Sequence, residues 1–168
     1  FRKKYPCISS NLNTFIPLYY CSLLLYCGLF SSFCRGKLKR CGDVFLATGG
    51  IVGSLAFLIF PSTSLPAFPL FHFISFHSFI YHGVMLYIGL LINITNYIII
   101  DKNDIIYFAS LVGVMCLLAL FVNLKSGSNL MFISKDFPGT PVSTIYHLTG
   151  KYFTLIMTLS QMTLPFYL

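Results

Sequence analysis

The chain has 168 residues, of which 57% are hydrophobic and only 9% charged, so its polar groups are too few to clothe a water-facing surface and a soluble globule is excluded. Its formal net charge of +7 comes from 11 Lys and Arg set in short segments between apolar runs rather than in one stripe. That pattern fits anionic lipid headgroups, so membrane lipids are the expected partners and nucleic acid is not.

The length suits a single transmembrane helical domain, 1–168, with no repeat at a fixed period and no low-complexity linker to divide it. The sequence opens on Phe1 rather than Met, as a fragment or a processed form would, and a fragment could lack a preceding helix. The basic stretch 1–13 lacks the central apolar run of a signal peptide. Backbone groups in lipid must be bonded within their own segment, so an apolar run of roughly 17 to 25 residues reads as a crossing helix.

Such runs cover 14–33, 44–60, 78–100, 105–123 and 152–168. The expected fold is therefore all-α, a polytopic transmembrane bundle of about five crossing helices. Pro17 sits in the first turn of the first run, where a missing N–H costs nothing, and Pro61 ends the second. Between the first two runs lies a basic loop, 35–40, carrying Arg35, Lys37, Lys39 and Arg40. The connection 61–77 reads as a short interfacial or re-entrant piece, because extending the third helix back to Pro69 would make it far longer than a hydrocarbon core of about 30 Å. The other long connection, 124–151, is marked by turns at Gly127, Pro138, Gly139 and Pro141.

Gly49 and Gly53 on the second helix, with Gly50 beside them, and Ala109 and Gly113 on the fourth form small-xxx-small patterns that favour close contacts within the chain; a membrane partner or the preceding helix is the alternative occupant. The cysteines Cys21, Cys27 and Cys116 fall in apolar runs, where a thiol behaves as a small hydrophobe. Cys34 and Cys41 bracket the basic loop without further ligands, and Cys7 stands apart, so neither a disulfide framework nor a metal or other cofactor is expected. By the positive-inside rule the dense first loop outweighs Arg2, Lys3, Lys4, Lys125, Lys135 and Lys151 on the opposite side, which predicts a first helix running inwards.

Each crossing switches sides. With side A defined as the side where the first helix begins, Cys21, His72, His77, His82, Asn123, Asn129, Thr140 and His147 all fall near side A, and the basic loop and residues 101–104 near side B. Cys21 stands four residues after Pro17 and His82 four after Ser78, which puts each about 6 Å into its helix. An ionisable group at such depth is a functional hypothesis by default, with a satisfied structural histidine as the alternative. His72, His77 and His82 recur every five residues. On one straight helix successive imidazoles would then point about 140° apart and would not converge on a single ion, whereas a bent entry segment could bring them together.

Three segments carry a family resemblance. Ile16-Pro17-Leu18-Tyr19-Tyr20-Cys21-Ser22-Leu23 resembles the L-P-L-H-L-C segment of the YwaF-type integral membrane proteins, Phe79-Ile80-Tyr81-His82-Gly83 their F-x-x-H-G segment, and Val122-Asn123-Leu124-Lys125-Ser126-Gly127-Ser128-Asn129-Leu130-Met131-Phe132 their V-N-x-x-x-G-x-N-Y-M-F segment, followed by the matching Pro138. They occur in the family's order over nearly the whole chain. Tyr19 stands where the family has His, and Leu130 where it has Tyr.

The animal relatives of that family, typified by transmembrane protein 164, imply acyl transfer between membrane lipids by a Cys and a His. The resemblance places the His at His82; the Cys falls on Cys21 in one register and on Leu18 in the other. The expected function is a membrane-lipid acyltransferase or lipid hydrolase, with Cys21 and His82 catalytic. Asn123 and Asn129 are candidate substrate-binding donors to an oxyanion, with helix capping and loop turns as their other reading. The alternatives are a small-molecule transporter and a noncatalytic membrane partner subunit. Richness in Phe, Ile, Tyr, Asn and Lys points to an AT-rich genome, and so to a bacterial plasma membrane.

Overall fold

A computed structural model describes residues 16–61, 65 and 68–168. Arg2, Lys3, Lys4, Cys7 and Thr14 lie outside the described residues, as do residues 62–64, 66 and 67 of the expected interfacial piece. The described residues form helices and no strand: α1 (Leu23–Phe33), α2 (Gly36–Ala47), α3 (Gly49–Ile59), α4 (Phe73–Ile94), α5 (Ile105–Ser126), α6 (Pro141–Thr149) and α7 (Phe153–Tyr167). Among them three spans are long and apolar enough to cross a membrane: Gly36–Ile59, which joins α2 to α3, Phe73–Ile94, and Lys102–Ser126. The shorter α1 and α7, of 11 and 15 residues, complete the bundle.

Several boundaries differ from those the apolar runs suggest, each for a local reason. The basic stretch 35–40 is largely the start of α2 rather than a loop, because two of its four charges, Lys39 and Arg40, are neutralised where they stand. Lys39 pairs with Asp43 at 3.0 Å one turn further along. Arg40 donates from Nε to the buried Asp104 carboxylate at 2.8 Å and from its terminal nitrogen to the Ile99 carbonyl at 2.7 Å. The reversal itself takes only Cys34 and Arg35, with Gly36 in the left-handed region at φ 63°.

α1 begins at Leu23 rather than near residue 14, since residues 19–22 are wound in turns whose bonds include Ser22 N to Tyr19 O at 2.9 Å and Leu23 N to Tyr20 O at 3.2 Å. α4 starts and ends earlier than its apolar run, and a capping box at Asp101 and Asp104 opens the following span.

The helix ends sort into two sets. Lys39 reaches the Tyr97 hydroxyl at 3.0 Å and Arg40 reaches Ile99 and Asp104, which gathers the starts of α2 and α5 and the end of α4 on side B. Phe57 near the end of α3 meets Phe79 and His82 on the first half of α4, while Tyr81 reaches Cys21 and Tyr19 meets Phe132, which gathers side A. Between them Phe45, Met85 and Phe108 are fully buried, and large side chains such as Phe33, Ile94, Leu117 and Leu124 cover the outside, where lipid is as apolar as they are.

The small face at Gly49 and Gly53 is filled by side chains of the same chain: a Cβ at Gly49 would meet the Tyr20 hydroxyl and the Phe108 ring, and one at Gly53 the Met85 methyl and the Tyr20 ring. Close approach to the backbone of a neighbouring helix is found instead at glycines the small-residue pattern did not single out. A Cβ at Gly42 would lie 2.6 Å from the Cys27 carbonyl and 2.9 Å from the Ser31 nitrogen of α1; one at Gly89 would lie 2.9 Å from the Leu46 carbonyl of α2.

Because backbone cannot swing aside as a flexible side chain does, Gly42→Ala and Gly89→Ala should each cost about 1–3 kcal/mol as overpacking. Gly28→Ala in α1, where nothing lies within 4 Å of the added carbon, should be neutral or slightly stabilising. Unfolding in mild detergent, followed by circular dichroism against denaturant, checks the contrast; equal effects at the three positions would contradict the close approach.

Candidate functional site

α4 opens at His72, whose ring nitrogen accepts the Ile74 N–H at 3.2 Å as an N-cap. The helix therefore starts at Phe73, and His82 stands about 13 Å along it rather than the 6 Å expected from a start at Ser78. It is 6% exposed. Its ring lies flat on Phe57, centroids 3.7 Å apart and planes within 8°. Nδ1 lies 2.7 Å from the Ser78 carbonyl one turn back. A carbonyl only accepts, so Nδ1 carries a hydrogen, and in the neutral form of the ring the lone pair then lies on Nε2. That is the state a general base needs.

Cys21 sits in the turn that precedes α1, half-buried, with a free thiol. What ties it to the His82 helix is Tyr81: its hydroxyl donates to the Cys21 carbonyl at 2.9 Å, and its ring stands edge-on to His82 at 5.4 Å. Among the described residues no hydrogen bond joins the Cys21 thiol directly to the His82 imidazole. Tyr19, two residues before Cys21, packs its ring 5.3 Å from Phe132. The turn 19–22, the first half of α4, the end of α3 and the loop after α5 thus meet in one place.

Asn123 and Asn129 shape that loop. The buried Asn123 accepts the Leu130 N–H at 2.8 Å and donates to the Leu130 carbonyl at 3.0 Å and the Ser134 hydroxyl at 2.7 Å. Both hydrogens of its amide are thereby engaged. Asn129 accepts from the Ser134 and Lys135 nitrogens at 3.1 and 3.0 Å and donates to the Lys135 carbonyl at 3.1 Å. From α7, Gln161 donates to the Met131 carbonyl at 2.8 Å. These bonds hold Met131 and Phe132 in the left-handed region, at φ 57° and 53°, a conformation that costs side-chain-bearing residues roughly 1–3 kcal/mol each.

The other histidines lie elsewhere: His77 stands between the Phe73 and Tyr81 rings, and the exposed His147 is 3.6 Å from Asp136. Among the described residues no three His, Cys, Asp or Glu side chains cluster as metal ligands. Three contributors escaped the sequence reading. Tyr81 and Gln161 carried a signal, since a phenol or amide inside an apolar run must find a partner. Phe57 carried none, being one apolar residue among many.

A family profile described as the TMEM164 family matches residues 7–168. No curated protein and no solved structure matches.

Removing the amide in Asn123→Leu leaves the Leu130 N–H and C=O without their partner, a loss of about 1–3 kcal/mol for a buried polar group. Amide hydrogen exchange should accelerate at Leu130 and across 128–135 while α2 stays protected. Unchanged exchange in that segment would contradict the role of Asn123 in holding the loop.

Proposed function

The chain belongs to the TMEM164 family, and on that premise we propose that it transfers acyl groups between membrane lipids, with Cys21 as nucleophile and His82 as general base. The observation that carries this reading is the Tyr81 hydrogen bond, which holds the Cys21 turn against the helix segment bearing a neutral, buried imidazole. Lipid reaches such a place from the surrounding bilayer without passing through water.

In the proposed reaction the His82 Nε2 takes the thiol proton as sulfur attacks a lipid ester carbonyl. The tetrahedral adduct collapses, the C–O bond breaks, and the leaving alkoxide receives that proton. The thioester is then attacked by the hydroxyl of a lysolipid, or by water, with His82 accepting and returning the second proton, which regenerates the thiol. Asn123 and Asn129 serve substrate binding in this reading by fixing the loop 128–135 that walls the site beside Tyr19. The compartment it assumes is a bacterial plasma membrane.

A noncatalytic partner subunit is the second reading. It is favoured by Tyr19 at the family's His position and by the register that puts the family's nucleophile on Leu18.

Acyl labelling of the purified protein in lipid separates the two. The proposal expects a thioester-linked label that is abolished in Cys21→Ala and slowed about 10²-fold or more in His82→Ala. Tyr81→Phe, which loses only the bond to the Cys21 carbonyl, should slow labelling without abolishing it. A wild-type protein that takes no label, or a Cys21→Ala variant that labels like wild type, rejects the covalent route and leaves the partner-subunit reading.

A further inference from the structure

Side B, away from the candidate site, carries an open groove of about 390 Å³ between α1, α2 and α4. That volume lies within the range of about 300–1,000 Å³ typical of small-molecule sites. Its walls are apolar, with Leu24, Leu46 and Ile92 among them, and Gly28 leaves one wall without a side chain. Towards side B the lining turns polar, at Ser31, Ser32 and Tyr97. There the Ser31 hydroxyl donates to Asp43, and Lys39 bridges Asp43 at 3.0 Å to the Tyr97 hydroxyl at 3.0 Å, so this layer is hydroxyl-rich but neutral overall.

At the same end of the bundle, Arg35 in the reversal and Lys37 in the first turn of α2 are both exposed, and among the described residues no ion pair is formed by either. From the middle of the bundle outwards the order is therefore apolar wall, neutral hydroxyl layer, unpaired cations. A glycerophospholipid has the same order: acyl chain, ester and glycerol oxygens, phosphate.

We propose that this groove binds an anionic glycerophospholipid, one acyl chain lying along α1 and α4 at Gly28 and the headgroup meeting Arg35 and Lys37. In a bilayer the apolar walls alone give little preference, because any lipid chain solvates them equally well. The preference must come from the cations, each worth about fivefold for an anionic headgroup at the membrane surface. The site is independent of the acyl-transfer reading, which involves none of these residues.

Native mass spectrometry of the full chain in detergent, with phosphatidylglycerol and phosphatidylcholine of identical chains added as probes, tests the assignment. The expected result is phosphatidylglycerol retained about 25-fold better than phosphatidylcholine, fivefold for each of the two cations. Gly28→Leu, which fills the groove where nothing lies within 4 Å of the added Cβ, should abolish retention of both. Arg35→Gln with Lys37→Gln, both exposed, should erase the headgroup preference and keep the weaker binding. Equal retention of the two probes by the wild type, or a preference that survives the double Gln variant, overturns the headgroup assignment. Retention unchanged in Gly28→Leu identifies annular lipid only and overturns the site.

Discussion

In hydrocarbon a backbone N–H or C=O that leaves a helix has no water to bond, and each one left unpaired costs several kcal/mol. This bundle departs from helical geometry repeatedly, and at several departures a polar side chain from a neighbouring helix closes the gap. Tyr81 takes the Cys21 carbonyl before α1, and Asn93 takes the Ala47 carbonyl, at 2.8 Å, beside the break between α2 and α3. Ser75 takes the Phe68 carbonyl ahead of α4, Asn123 takes both backbone groups of Leu130, and Gln161 takes the Met131 carbonyl. The irregular segments are positioned by these bonds, and two of them, the turn 19–22 and the loop after α5, meet α3 and α4 at the candidate site.

This pairing bears on how polar residues in such a chain should be read. An Asn or Gln in an apolar run attracts a catalytic or transport role, yet Asn93, Asn123 and Gln161 each hold backbone. His82 differs from them: its bond to Ser78 fixes the tautomer while leaving the second ring nitrogen with a lone pair. The charged groups follow the same economy, since Lys39 and Arg40 are matched by Asp43 and Asp104, while Arg35 and Lys37 remain for contacts outside the chain.

Helix existence and order were legible because apolar run length is a direct consequence of bilayer thickness. Helix boundaries were less so. Residues 35–40 looked like a loop from their charge alone, and only the partners Asp43 and Asp104, the latter distant in sequence, make a helix there reasonable. The depth of His82 was misjudged because the true start of α4 depends on His72 acting as a cap, a detail that apolar periodicity does not carry. Within the site, the spacing of Cys21 and His82 says nothing of Tyr81 bridging them, since that contact joins residues 60 positions apart. Likewise the glycines at helix crossings, Gly42 and Gly89, sit singly in their helices and present no repeated pattern to notice.

The break at Thr48, where φ −122° and ψ −78° depart from helical values, has a mechanical meaning. The rod it interrupts has 24 residues, a straight length of about 36 Å against a hydrocarbon core of about 30 Å. A continuous helix of that length must tilt as a whole or stretch the surrounding lipid. One interrupted at mid-height, with the exposed carbonyl already bonded to Asn93 of the neighbouring helix, flexes at the interruption without uncovering a polar group. The span therefore meets the bilayer as two short rods, each well under the hydrocarbon thickness, joined at one residue whose break is already capped.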